Sequence, residues 1–171
     1  HLGKIEDWKP GNKISEVDVI IGGPPCQGFS LARGLRFVDD PRNRLFKDFI
    51  KAVRHYRPKW FVMENVQGIT NIGQGVILQQ ILEDFSDIGY SVEYKIVNMA
   101  EYGVPQLRRR AIFVGNNTSQ KFDWPEIGYK KKNSKASLFT INLPNFVSVN
   151  EAFGDLLLPI GSYFSHRANS Q

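Results

Sequence analysis

The chain has 171 residues, 42% of them hydrophobic, which is enough for one domain of ordinary size and excludes a wholly disordered chain. Its single cysteine excludes an internal disulfide and a thiolate-cage zinc site, and three scattered histidines offer no substitute, so no metal is expected. A formal net charge of +5, with a pI of about 9.4, favours polyanionic partners only where the charge is clustered.

Residues 1–16 are polar, with Ile5, Trp8 and Ile14 as apolar anchors, and read as a loop leading into the first clear strand. Residues 17–23 are an almost continuous apolar run, the pattern of a parallel strand covered on both faces. The run ends at Pro24-Pro25, a turn that presents Cys26. Residues 24–43 form a long loop rich in glycine and arginine, and a loop of that length in a compact domain is usually functional. Asp40-Pro41 or Asn43 then starts a helix over 44–56, with Leu45, Phe46, Phe49, Ile50, Val53 and Tyr56 on one face. Arg57-Pro58 ends it.

Trp60-Phe61-Val62-Met63 is a second buried strand, with Glu64-Asn65-Val66 at its carboxyl end. Residues 75–88 are a second amphipathic helix, with Ile77, Leu78, Ile81, Leu82, Phe85 and Ile88 inward and Gly89 as its terminator. Residues 90–98 alternate as a strand with one wetter face. A turn with Gly103 and Pro105 leads to a short strand at 111–114, and these two strands form an antiparallel hairpin. Residues 117–138 read as an exposed basic loop, and a short helix opens near 148–153 with Asn150 as its cap.

Strand, helix, strand, helix, strand is the order of an α/β fold with a mostly parallel, Rossmann-like sheet closed by a terminal antiparallel hairpin. A right-handed crossover makes the first two strands parallel, so Cys26 and Glu64 come to the same carboxyl edge, where such sheets bind ligands. The first residue is His1, and neither end shows a start or stop signal. The chain therefore reads as a piece of something larger, incomplete at both ends. No apolar run reaches the roughly 18 residues of a membrane-spanning helix, and no signal peptide opens the chain. With one unpaired cysteine, a cytoplasmic home is expected.

Each chemical signal has a plain alternative. Basic residues cluster at Arg33, Arg36, Arg42, Arg44, Lys47, Lys51, Arg54, Arg57 and Lys59, at Arg108-Arg109-Arg110 and at Lys130-Lys131-Lys132. They are a solvated face or a polyanion site. Cys26 is a small buried hydrophobe or a thiol whose arginine neighbours raise its thiolate fraction. Glu64 is a cap on the following segment or a carboxyl kept partly protonated by burial, able to donate to a ring nitrogen. On a strand leading into the core, Arg108 and Arg110 share a face, either as surface charge or as paired guanidinium groups for an anion.

In order, Pro24-Pro25-Cys26-Gln27-Gly28-Phe29-Ser30, Asp40-Pro41-Arg42-Asn43-Arg44-Leu45-Phe46, Glu64-Asn65-Val66 and Tyr102-Gly103-Val104-Pro105-Gln106-Leu107-Arg108-Arg109-Arg110 resemble the DNA (cytosine-5) methyltransferase family of bacterial restriction–modification systems. The resemblance runs from about residue 17 to 115, with a fainter match at Asp155-Leu156-Leu157-Leu158-Pro159. It implies an S-adenosylmethionine-dependent methyltransferase fold, and methyl transfer to C5 of cytosine in double-stranded DNA. Cys26 matches the nucleophile that adds to C6 of a flipped-out base. Glu64 matches the acid that bonds N3 and the exocyclic amine, Arg108 the residue holding the base carbonyl, and Arg110 a support of the same pocket. Ile5, Pro24 and Leu45 match positions lining the S-adenosylmethionine pocket. Gln27, Ser30, Arg33 and Gln106 fall on DNA-contacting positions, and residues 27–43 on a loop that closes over the base.

Two departures qualify the match. No glycine-rich turn and acidic residue for the methionine and ribose precede residue 17, and Lys4 stands in Gly3-Lys4-Ile5 where the family usually has an acid. No target-recognition region follows Gln171. The expected organisation is thus a partial catalytic core over 1–116 and, over 117–171, a linker leading toward a recognition domain, with a complementary polypeptide supplying the rest. Two alternatives stay open: a tRNA cytosine-5 methyltransferase of the same family, and a catalytically inert DNA-binding subunit.

Overall fold

The computed structural model describes Asp7 and residues 16–25, 44–118, 120–132 and 142–154. These fall into two compact units, one within His1–Asn98 and Arg108–Glu126, the other within Met99–Leu107 and Ile127–Gln171.

The first unit is a mixed sheet with helices. Its strands are β1 (Val19–Gly22), β2 (Trp60–Val66), β3 (Ser91–Asn98) and β4 (Arg109–Asn116), and its helices are α1 (Arg44–Tyr56) and α2 (Val76–Ser86). The strand order is β1-β2-β4-β3. β1 runs parallel to β2 from Val19↔Trp60 to Gly22↔Met63, the geometry a helical crossover through α1 requires. β4 is antiparallel to both β2 and β3, so the hairpin completes the sheet. Among the described strands the parallel part is therefore the β1–β2 pair alone.

Alternation along the strands sends Ile20, Phe61, Met63, Ala111 and Phe113 to one face. There they meet Phe49, Ile50 and Val53 of α1 and Ile77, Ile81 and Phe85 of α2. Phe61 stacks on Phe85 with centroids 4.1 Å apart and meets Phe49 edge-on at 6.0 Å. The apolar stripe of α1 is used as the sequence predicts, because its i, i+1, i+4 positions are the ones that face the sheet. The expectation that β1 is covered on both faces is not met. Both helices lie on the Ile20 side, and Val19 and Ile21 point the other way, 47% and 76% exposed.

The sheet is locked at the end away from the carboxyl edge of β1. The Tyr90 hydroxyl donates to the Pro58 carbonyl at 2.6 Å and accepts from Asn117 Nδ2 at 3.3 Å. Burial pushes this phenol above its usual pKa. The Arg57 guanidinium lies 5.5 Å from the centre of the Tyr90 ring and donates to the Ile88 carbonyl. Tyr90→Phe leaves the Pro58 carbonyl without this donor and is expected to lower stability by about 1–2 kcal/mol. Urea unfolding measures this, and an unchanged midpoint would show that Asn117, which also donates to Pro58, suffices alone.

Two local readings change, at the start of β4 and at residues 120–126. β4 begins at Arg109, two residues before the apolar run, because pairing with β2 extends to Val66↔Arg110 and pairing with β3 to Asn98↔Arg109. Residues 67–75 form two 3-10 turns, with Gly73 and Gln74 at φ of +58°. Residues 120–126 are more than an exposed basic loop: Phe122 lies 6.0 Å from Trp60 and 5.1 Å from Trp124, and Lys95 sits over the Trp124 ring at 5.7 Å. Among the described residues no helix is long and apolar enough to cross a membrane.

In the second unit a 3-10 turn at Met99–Tyr102 leads to Gly103, whose φ of +85° and close approach to the Tyr129 ring both require glycine. The Glu101 carbonyl accepts from the backbone N–H groups of Gly128 and Tyr129 at 2.9 and 3.1 Å. Helix α3 (Val149–Phe153) starts at Ser148, not at Asn150. Ser148 Oγ accepts from the Glu151 N–H while the Glu151 carboxylate accepts from the Ser148 N–H. This reciprocal box satisfies two donors, which an Asn150 cap two positions later, with Phe153 at its third helical position, could not do.

Candidate active site at the carboxyl edge of the sheet

Glu64 is the fifth residue of β2, and its side chain stands on the face opposite the helices. Its partner across the sheet is Ile112, so Arg110 is its diagonal neighbour on the same face and Arg108 comes two residues further along. That geometry carries both guanidinium groups to one carboxylate oxygen. Arg110 Nε lies 2.7 Å from Glu64 Oε1, and Arg108 Nη2 lies 3.7 Å from the same atom. Arg110 also donates from Nη1 to the Arg109 carbonyl at 2.8 Å, which holds it in place. Arg108 precedes β4 and lies outside its register, yet its guanidinium reaches the same Glu64 oxygen as that of Arg110. The Glu64 side chain is 39% exposed and lies between the two guanidinium groups.

The turn after β1 comes to this same carboxylate. A Cβ built on Gly23 would lie 3.3 Å from Glu64 Oε2, so the chain passes close against the acid. One residue later, the Pro24 carbonyl accepts from Asn65 Nδ2 at 3.1 Å. Asn65 is only 4% exposed, and its Oδ1 accepts from the Val66 N–H at 2.8 Å. Although Asn65 is part of the quoted motif, sequence reasoning gave it no task. The signal available was a polar side chain at a strand position that alternation assigns to the core.

Pro24 is half-buried at the end of β1, and Leu45 is half-buried in the first turn of α1. The α1 side chain Phe49 packs on Gly22, where a Cβ would meet its ring at 2.7 Å. Pro24 and Leu45 offer apolar surface of the kind a wall of a cofactor pocket needs. Neither can hold an amino-acid or ribose group. Gln106 is exposed in the second unit, after a tight turn in which its N–H donates to the Val104 carbonyl at 2.7 Å. Cys26, Gln27, Ser30, Arg33 and Ile5 lie outside the described residues.

An acid between two arginines, at the strand edge reached by a proline turn, can grip a planar group bearing both donors and acceptors. The class is that of the C-5 cytosine-specific DNA methylases: the sequence model of that family matches residues 1–162, and the chain belongs to it. Within the family it is similar to proteins of restriction–modification systems. It is 46% identical over 121 residues to the Type II methyltransferase M1.HphI of Haemophilus parahaemolyticus, covering 70% of this chain and 32% of that protein. Over 162 residues it is 40% identical to the Type II methyltransferase M.BspRI of Lysinibacillus sphaericus, covering 94% and 36%. Among solved structures, a prophage-encoded E. coli protein assigned as a DNA modification methyltransferase is 32% identical. It covers 80% of this chain and 34% of that one, at a TM-score of 0.54. The chain thus spans about a third of the length of these two curated relatives.

Proposed function

We propose that this chain carries the catalytic half-site of a DNA cytosine-5 methyltransferase. The observation that carries the reading is Glu64, fixed by Arg110 and Arg108 at the edge to which the turn before Cys26 runs. C5 of cytosine is a poor nucleophile. Addition of the Cys26 thiolate to C6 makes an enamine whose C5 can attack an electrophile. Glu64 bonds N3 and the exocyclic amine and draws charge from the ring as sulfur adds. Arg108, the more exposed of the two arginines, reaches the base carbonyl, and Arg110 keeps Glu64 oriented. When bound, S-adenosylmethionine supplies the methyl group as that electrophile, and Pro24 and Leu45 give it an apolar wall. Loss of the C5 proton and departure of the thiolate from C6 then restore aromaticity and free the enzyme.

The target base leaves the duplex stack for this chemistry, since C6 is otherwise inaccessible. Arginines among residues 27–43 meet phosphates, which gives salt-dependent affinity for double-stranded DNA in the cytoplasm. The exposed Val19–Ile21 face and the outer edge of β1 support a role for a complementary segment or polypeptide, which supplies the grip on methionine and ribose and the sequence reader.

The test is covalent trapping, on the longest polypeptide encoded in frame with this chain. Protein, S-adenosylmethionine and a duplex carrying 5-fluorocytosine are incubated, because fluorine cannot leave as the C5 proton does. The expected result is a denaturation-resistant adduct whose peptide map places the nucleotide on Cys26. Duplex binding without any adduct would point instead to an inert DNA-binding subunit.

A further inference from the structure

We infer that Asn65 is a positioning residue for the turn that carries Cys26, its side-chain amide holding the Pro24 carbonyl in line with the end of β2. The inference rests on the reading of Cys26 as nucleophile.

The parallel ladder between β1 and β2 reaches Gly22↔Met63, and the same register continued places Pro24 beside Asn65. Backbone donors cannot extend the ladder there, because Pro24 and Pro25 have no N–H. What the turn offers is the Pro24 carbonyl, and Asn65 Nδ2 donates to it at 3.1 Å. The amide is oriented for this task, since its oxygen is occupied by the Val66 N–H at 2.8 Å and its nitrogen is left facing Pro24. The side chain is 4% exposed on the core-facing side of β2, where leucine, of similar size, would pack without any polar desolvation. A buried amide with both ends engaged, one of them 41 residues away in sequence, fixes a backbone position as well as filling space. The position it fixes is consequential, because Gly23 of the same turn lies against Glu64. If the turn shifts, the segment leading to Cys26 moves relative to Glu64, Arg108 and Arg110, the charged groups described at this edge.

Cys26 is the only thiol of the chain, so alkylation by iodoacetamide reports on the turn without competing signals. The rate is measured as a function of pH for the unmodified protein, Asn65→Asp and Asn65→Ser. Asn65→Asp keeps an acceptor for the Val66 N–H but sets an oxygen against the Pro24 carbonyl, and Asn65→Ser is too short to reach it. The expected result is a change of about tenfold in rate near neutral pH, with a displaced pH profile, in protein that keeps its far-UV circular dichroism. A lower melting temperature with superimposable alkylation profiles overturns the inference and leaves Asn65 a core amide only. Should Asn65→Asp fail to fold, Asn65→Ser decides. Failure of the nucleophile reading is separately visible: a 5-fluorocytosine adduct mapping to a residue other than Cys26 removes that reading, while the alkylation comparison still decides whether Asn65 sets the turn.

Discussion

Cys26→Ala is expected to abolish methyl transfer to cytosine while leaving affinity for duplex DNA within about twofold, because the substitution removes covalent activation and none of the phosphate-binding charge. Without a thiolate at C6 the ring remains aromatic, and no placement of a methyl donor makes C5 reactive. Glu64→Gln is the graded companion. It preserves the size of the side chain and its place on β2, but it cannot share a proton with N3. It also replaces the carboxylate that lies 2.7 Å from Arg110 Nε, leaving Arg110 its bond to the Arg109 carbonyl. A loss of about 10²–10⁴ in the transfer step is expected, the range of a general acid removed from its site. Stability is expected to change by less than about 1 kcal/mol, since the pair is substantially exposed and solvent screens it. Single-turnover transfer of a labelled methyl group and filter binding on the same preparations separate the two effects. Measurable turnover by Cys26→Ala would remove covalent catalysis from the account. Equal losses of transfer and binding in Glu64→Gln would make the carboxylate a DNA contact, with no role peculiar to the transition state.

The sequence made the α1–β2–α2 succession readable because each piece has its own period. α1 spans Arg44–Tyr56 as its apolar spacing predicts, and β2 holds Glu64 at its carboxyl end. Pairing between distant segments was not readable in the same way. Arg109 and Arg110 have no apolar pattern and enter β4 only because Asn98 of β3 pairs with Arg109, while Val66 of β2 and Val97 of β3 flank Arg110. The exposure of Ile21 was hidden for the converse reason. Its own neighbours look like those of a strand buried on both faces, and which face the helices choose is decided by the crossover. The acid and the two arginines were each visible as residues, yet their convergence on one oxygen depends on an antiparallel register that no local pattern encodes. Asn65 was hardest to read, because a buried amide has meaning only once the carbonyl it holds is known.

The centre of the sheet gives the largest expected stability effect. Gly115→Ala is expected to destabilise the chain by about 3 kcal/mol, the upper end of what overpacking costs. Gly115 lies on β4, one of the two internal strands, opposite Phe61 on β2 and Val92 on β3. A methyl group built there would lie 2.1 Å from Phe61 Cε1 and 2.4 Å from its Cζ. The ring has no room to retreat: it is fully buried, stacked on Phe85 at 4.1 Å and packed against Tyr90 at 5.5 Å. Alanine also reduces the freedom of the unfolded chain relative to glycine, which stabilises by about 0.4–1 kcal/mol and opposes the clash. A van der Waals overlap of this size in a close-packed interior outweighs that gain. The cause can be isolated with a double-mutant cycle. Phe61→Leu alone opens a cavity and is expected to cost about 1–3 kcal/mol. In the double variant the new methyl group occupies space the ring has left, so the two losses should fall short of additive by more than about 1 kcal/mol. Urea unfolding of the four proteins provides all the terms. Additive losses would mean that the strain lies in the β4 backbone, not in its contact with Phe61.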